Sequence, residues 1–113
     1  MNNSNRNNIY YRIWYRPMKK MYYVPGYRIE GEEHIWRIIF YCGYSEVKIE
    51  YKNPDDVVIM SRLPLKDKYG NVIFEGDKIR LPDNEIIAEG RIVVVDFSKG
   101  EICGNIYDKE VKK

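Results

Sequence analysis

The sequence predicts an all-β protein, a small barrel or sandwich of short strands. Three observations carry that prediction. Eleven Tyr, three Phe and two Trp stand beside many Ile and Val in 113 residues, and flat or β-branched side chains fit a pleated, half-buried surface. Turn signals recur about every 8 to 12 residues, the spacing of short strands. No segment holds apolar residues at a helical period.

The elements follow in order. Residues 1–8 are Asn-rich and lack apolar anchors, which predicts a frayed tail. From Ile9 to Trp14 the pattern is β, with Ile9, Tyr11 and Ile13 on one face and Tyr10, Arg12 and Trp14 on the other. Pro17 ends this strand because it has no N–H for a ladder, and Lys19-Lys20 fall in a turn. Met21 to Val24 is extended, and Pro25-Gly26 suits positions i+1 and i+2 of a type II turn. Tyr27 to Glu30 reads as a short strand closed by Gly31. His34 to Tyr41 is apolar on both faces, so it predicts a strand covered on each side; its Ile and aromatic content and bounding glycines argue against the alternative, a helix. Ser45 to Tyr51 alternates, with Val47, Ile49 and Tyr51 inward and Glu46, Lys48 and Glu50 in solvent. Asn53-Pro54-Asp55-Asp56 is a turn, and Val57 to Met60 is extended.

The stretch from Leu65 to Leu81 is the most tightly specified part of the chain. It reads as turn, short strand, tight turn and second strand, with Leu65, Ile73, Ile79 and Leu81 as core. Gly70 and Gly76 reach φ > 0 at little cost, and Asp67, Glu75 and Asp77 accept hydrogen bonds from turn amides. Pro82 to Glu85 is another turn, Ile86 to Ala88 a short strand, and Gly90 a bend or bulge. Ile92 to Phe97 looks central, and Ser98-Lys99-Gly100 closes a hairpin onto Glu101 to Tyr107. These elements divide the chain into a tail (1–8), an amino-terminal β-rich region (9–58), a second β-region (59–108) and a short tail (109–113).

Function is bounded more by exclusion. Charged residues at 32% and hydrophobic ones at 44% are ordinary for a globular protein. No apolar run approaches the ~20 residues that span a bilayer, and MNNSNRNN has no hydrophobic signal core, so a cytoplasmic protein without a membrane partner is expected. Cys42 and Cys103 form no C-x-x-C pair and read as half-buried free thiols, with a disulfide only if the protein is exported. His34, the single histidine, follows Glu32-Glu33 in a turn, which more often marks a surface group than a metal ligand. Ser4, Ser45, Ser61 and Ser98 lie in no nucleophile motif, and no phosphate-binding glycine loop is present. Asp67, Glu75 and Asp77 could form a carboxylate cluster, but no His, Cys or further acid lies at ligand spacing. No catalytic residue, metal or cofactor is expected.

Charge is uneven. The first 28 residues hold six basic groups and no acid, while the remaining 85 carry a net −4. Arg12, Arg16, Lys19 and Lys20 interleave with Tyr10, Tyr11, Trp14, Tyr15, Tyr22 and Tyr23. Cations for phosphate and rings for base stacking are the ingredients of nucleic-acid or nucleotide binding, so Arg12, Trp14, Tyr15, Arg16, Lys19 and Lys20 form the candidate binding set. The competing account is a half-buried strand with basic outward residues and with Trp14 and Met21 in the core.

At two places the chain resembles the YopX family of phage and prophage proteins. IYYRIWYRPMKKM, residues 9–21, is similar to that family's opening strand in Arg12, Trp14 and Lys19-Lys20-Met21. IMSRLPLKDKYGNVIFEGDKI, residues 59–79, matches its pattern at Leu65, Lys66, Asp67, Gly70, Ile73, Glu75, Gly76, Asp77 and Ile79. Two departures stand out: Tyr15 replaces the usual acid, and Leu63-Pro64 a Thr-Gly pair. The resemblance implies an all-β protein with an SH3-like barrel in the second region and an additional amino-terminal β-layer. It also implies a phage or prophage protein in a bacterial cell that forms a homo-oligomer, and it brings no catalytic residues. The expected role is non-enzymatic: binding a host or phage protein, with nucleic-acid or nucleotide binding as the alternative.

Overall fold

The computed structural model describes residues 9–87 and 97–108. They form ten strands and three single-turn 3₁₀ segments, so the protein is all-β. The chain makes two compact units, residues 1–60 and 61–113.

In the first unit β1 (Tyr11–Tyr15) pairs antiparallel with β2 (Lys20–Val24), with Ile13 opposite Tyr22. They are joined by a 3₁₀ turn, Arg16–Met18, with Pro17 as its second residue and Lys19 as its carboxyl-terminal cap at φ 51°. The proline therefore ends the strand as its chemistry requires. β3 (Arg28–Glu32), β4 (Ile35–Cys42) and β5 (Ser45–Tyr51) make a three-stranded meander. Ile13, Val24, Ile38, Phe40 and Ile49 form the buried core, with Tyr11, Tyr22, Val47, Tyr51, Val57 and Ile59 packed against it. Ile38, Ile39 and Phe40 are successive and all buried, so β4 is covered on both faces as expected. The alternation of β5 is as the sequence predicts, with Ile49 buried and Glu46, Lys48 and Glu50 exposed.

β6 (Val57–Lys66) begins in the first unit, beside β1, and ends in the second. There it pairs with β7 (Val72–Phe74), and the register shifts between Arg62 and Lys66, around Pro64, which has no N–H to give. β8 (Asp77–Arg80) lies between β9 (Ile86–Ile87) and β10 (Glu101–Asn105). Ile73 and Ile79 are the buried core of this unit, with Leu63, Leu81 and Ile102 packed on them. The small-sheet arrangement is compatible with an SH3-like barrel.

Several local expectations are corrected. Gly26 does not take positive φ, so Pro25-Gly26 is a bend and not a type II turn. Gly31 does not close β3; it lies inside the strand opposite Trp36, whose Cδ1 would stand 3.1 Å from an added Cβ. The reversal falls instead at Glu33, with φ 55°. Leu65 is not core but 36% exposed, because it sits past the point where the β6 register breaks. Both cysteines are free and exposed rather than half-buried. Of the strand expected over Ile92 to Phe97, residues 92–96 lie outside the described residues, as do Gly90 and both tails, while Phe97 opens a 3₁₀ segment, Phe97–Lys99, and is not in a strand.

Candidate interaction surfaces

The basic aromatic segment does not reach one surface. Arg12 and Trp14, each 3% exposed, lie on the face of β1 opposite to Ile13, and are buried there. Arg12 Nε donates to the thioether of Met60, itself buried, at 3.4 Å. Tyr15 is half-buried and packs on the first core. The half-buried Arg16 guanidinium donates to the backbone carbonyl of Asp55, tying the two 3₁₀ turns of the first unit together. Lys19 and Lys20 are exposed, and the ammonium of Lys20 lies 4.8 Å from the Tyr22 ring centre. Of the six residues, two therefore present cations to solvent and two serve as interior. The competing account places Trp14 in the core, as found; it expects the basic residues to point outward, and Arg12 does not, because β1 is covered on the face that carries it.

The carboxylates of the second unit are engaged with backbone. Asp67 Oδ1 accepts from the N–H of Tyr69 at 3.0 Å and of Asn71 at 2.8 Å. Its Oδ2 accepts from the N–H of Ile102 at 3.2 Å and from the Asn71 amide at 3.3 Å. Burial alone would raise this carboxyl; the hydrogen bonds from Asn71, Ile102 and Tyr69 outweigh that and hold its pKa below the ordinary value. Asp77 Oδ2 accepts from the N–H of Phe74 at 2.8 Å across the Glu75-Gly76 turn, where Gly76 has φ 86°. Glu75 holds Ser61 twice: its N–H donates to the Ser61 carbonyl at 3.0 Å, and its Oε1 accepts from the Ser61 N–H at 2.7 Å. The glutamate side chain thus stands in for the backbone carbonyl that a strand would have offered, at the point where the chain leaves β7 for β8. Gly70 closes the Asp67 turn with φ 81°, its N–H donating to the Asp67 carbonyl at 3.0 Å. Among the described residues no three His, Cys, Asp or Glu converge to hold a metal ion.

The surface that the sequence underrated is β3. All five of its residues are exposed, and it is the edge of its sheet among the described strands. Ile29 is 46% exposed and Tyr27, just before the strand, is exposed with its ring edge-on to Tyr11 at 5.1 Å. Behind it the polar face carries a charge ladder, with Glu30, Arg37 and Glu50 in register on three strands and Arg37 Nε 2.8 Å from Glu50. Arg28 Nε lies 3.1 Å from Glu30 on the same face. A signal was present in the sequence: Arg28-Ile29-Glu30-Gly31-Glu32 has one large apolar residue, too few for a covered strand. His34 follows in the exposed turn beyond this edge, among Glu32, Glu33, Arg37 and Lys52, in an open polar depression.

These features define a class: an all-β protein whose buried carboxylates, Asp67 and Asp77, build turns, and which exposes a strand edge, tyrosines and lysines. The chain belongs to the YopX family; the family model described as "YopX protein" matches residues 10–112. No curated protein matches the chain, and no solved structure does. No helix among the described residues is long and apolar enough to cross a membrane.

Proposed function

We propose that this YopX-family chain is a non-enzymatic interaction protein of phage or prophage origin, acting in the bacterial cytoplasm. It self-associates and binds a host or phage protein. The observation that carries this reading is the open edge of β3, with exposed Ile29 and Tyr27 beside backbone groups that a further strand can satisfy. The carboxylates on which an enzyme reading would rest, Asp67, Glu75 and Asp77, are each committed to backbone N–H groups. A second reading, nucleic-acid or nucleotide binding, draws on exposed Lys19, Lys20, Tyr10 and Tyr23. It is the weaker of the two, since Arg12 and Trp14 are interior.

Two measurements on the purified full chain test this. Sedimentation across a concentration series reads self-association, and a particle that stays monomeric throughout refutes that part. Titration with labelled single- and double-stranded nucleic acid across a salt series separates the second reading. Binding at low salt that weakens steeply with salt and is lost in Lys19→Ala/Lys20→Ala would overturn the protein-interaction reading in favour of the other.

A further inference from the structure

We propose that a cleft in the first unit binds an arginine side chain of a different protein, with the guanidinium set against Asp56. The inference rests on the reading that this chain binds another protein, and it adds a site and the chemistry that the site selects.

The cleft, of about 380 Å³, lies where the ends of β1 and β5, the start of β4 and the 3₁₀ turn Pro54–Asp56 come together. Its lining is held in place. The Tyr51 ring stacks on the Trp36 indole, with centroids 6.0 Å apart and planes 27° from parallel. Tyr15 and Tyr51 are both anchored on the first core. The turn is braced twice: the Asn53 side chain accepts from the Asp55 N–H at 3.0 Å, and Arg16 donates to the Asp55 carbonyl. A site built from fixed parts loses little conformational entropy when it is filled.

Charge then selects the occupant. Two carboxylates line the cleft, and that of Glu50 is already engaged with Arg37 Nε at 2.8 Å. Asp56 is half-buried, yet its carboxylate makes no hydrogen bond or ion pair among the described residues. Lys52, exposed at the same cleft, does not pair with it. A partly desolvated carboxylate without a partner favours an incoming cation, and tyrosine rings favour the same charge at their faces. Arginine suits both better than lysine, because its planar guanidinium stacks on rings and presents a fork of N–H donors to a carboxylate. Ile35 offers apolar surface to the methylene stem. A phosphate would meet Glu50 and Asp56, so the cleft disfavours the ligands of the second reading. Through Ile35 and Lys52, which line both, the cleft continues into the depression at Glu32, Glu33 and His34. Across the two, four acids stand against two cations, Arg37 and Lys52. That balance suits a basic segment of a protein more than a lone amino acid.

The test is an NMR titration of the isotope-labelled full chain at physiological salt. The probe is acetyl-Gly-Gly-Arg-Gly-Gly-amide, taken to about 10 mM, since one anchored side chain is expected to bind in the millimolar range. Its counterpart with citrulline keeps the shape and loses the charge. The arginine peptide is expected to shift the amide signals of Tyr51, Lys52 and Asp56, and to bind at least about fivefold more tightly than the citrulline peptide. Asp56→Asn keeps the side chain's shape and breaks no bond, and is expected to weaken binding by at least about fivefold. Asp55→Asn makes the same change of net charge one residue away, outside the cleft, and is expected to leave binding within about twofold. No binding at the highest concentration, equal binding of the citrulline peptide, or equal losses from the two variants overturns the site. The broader reading fails separately: it falls if nucleic acid binds and Lys19→Ala/Lys20→Ala abolishes that binding, whatever the peptide does.

Discussion

Replacing Asp67 by Ala tests whether the family's most recognisable turn is structural. The carboxylate joins the turn at Tyr69 and Asn71 to β10, 35 positions further on, through Ile102. Alanine leaves three backbone donors without that acceptor. Tyr69 is exposed, so its N–H can turn to water, but Asn71 and Ile102 are half-buried. Each stranded buried donor costs about 1–3 kcal/mol, so the loss should be about 3 kcal/mol once partial hydration is allowed. Asn at the same position keeps one acceptor oxygen and sets an amide N–H₂ near one of the donors, for a loss of about 2 kcal/mol. Urea denaturation supplies the free energy, and hydrogen exchange at Asn71 and Ile102 locates it. A loss below about 1 kcal/mol for alanine, or unchanged protection at Ile102, would refute the structural role and reopen a functional one for this carboxylate.

Four further outcomes are expected. Since the folded pKa of Asp67 is depressed, its contribution is present above the unfolded value of about 4 and is lost as pH falls through the folded value; Asp67→Asn should flatten that acid limb of a stability–pH curve. Gly100→Ala should destabilise by about 2 kcal/mol, because the new Cβ would lie 2.6 Å from Ile79 Cγ2 and 3.2 Å from the Arg80 carbonyl; an unchanged denaturation midpoint would contradict this packing. Arg12→Ala should cost about 2–4 kcal/mol by emptying a buried site and leaving nucleic-acid affinity as it was, whereas Lys20→Ala should change stability by under about 0.5 kcal/mol. Cys42 and Cys103 should both react with a thiol reagent in the folded protein without denaturant, as read by mass spectrometry.

The parts of the fold legible in the sequence are those where side-chain chemistry and backbone geometry coincide. Pro17 ends β1, Asn53 accepts from the Asp55 N–H at 3.0 Å to cap its turn, and Asp67, Gly70, Gly76 and Asp77 take the turn roles their types suit. Alternation in Ser45 to Tyr51 reads directly as an inward and an outward face, because the outward face meets water. Legibility fails where tertiary context decides. Arg12 looks like a solvent cation, yet a long apolar stem and a neighbouring thioether make it interior. Leu65 looks like core, yet the irregular pairing beyond Arg62 turns it outward. Gly31 reads as a stop because glycine breaks strands on average; here the Trp36 indole needs the space that its missing side chain leaves.

An exposed strand edge is ordinarily an aggregation hazard, and what distinguishes β3 is the way its charges limit that hazard. Arg28, Glu30 and Glu32 alternate with Ile29 and Gly31, so the edge offers one apolar side chain and three charges. Charged side chains on an edge disfavour casual pairing, since most registers set like charges together. The same logic predicts that Glu30→Ala/Glu32→Ala, which strips two of the three charges from this edge, makes the chain aggregate more readily than the parent at equal concentration. Sedimentation and light scattering unchanged from the parent would mean that these charges do not guard the edge.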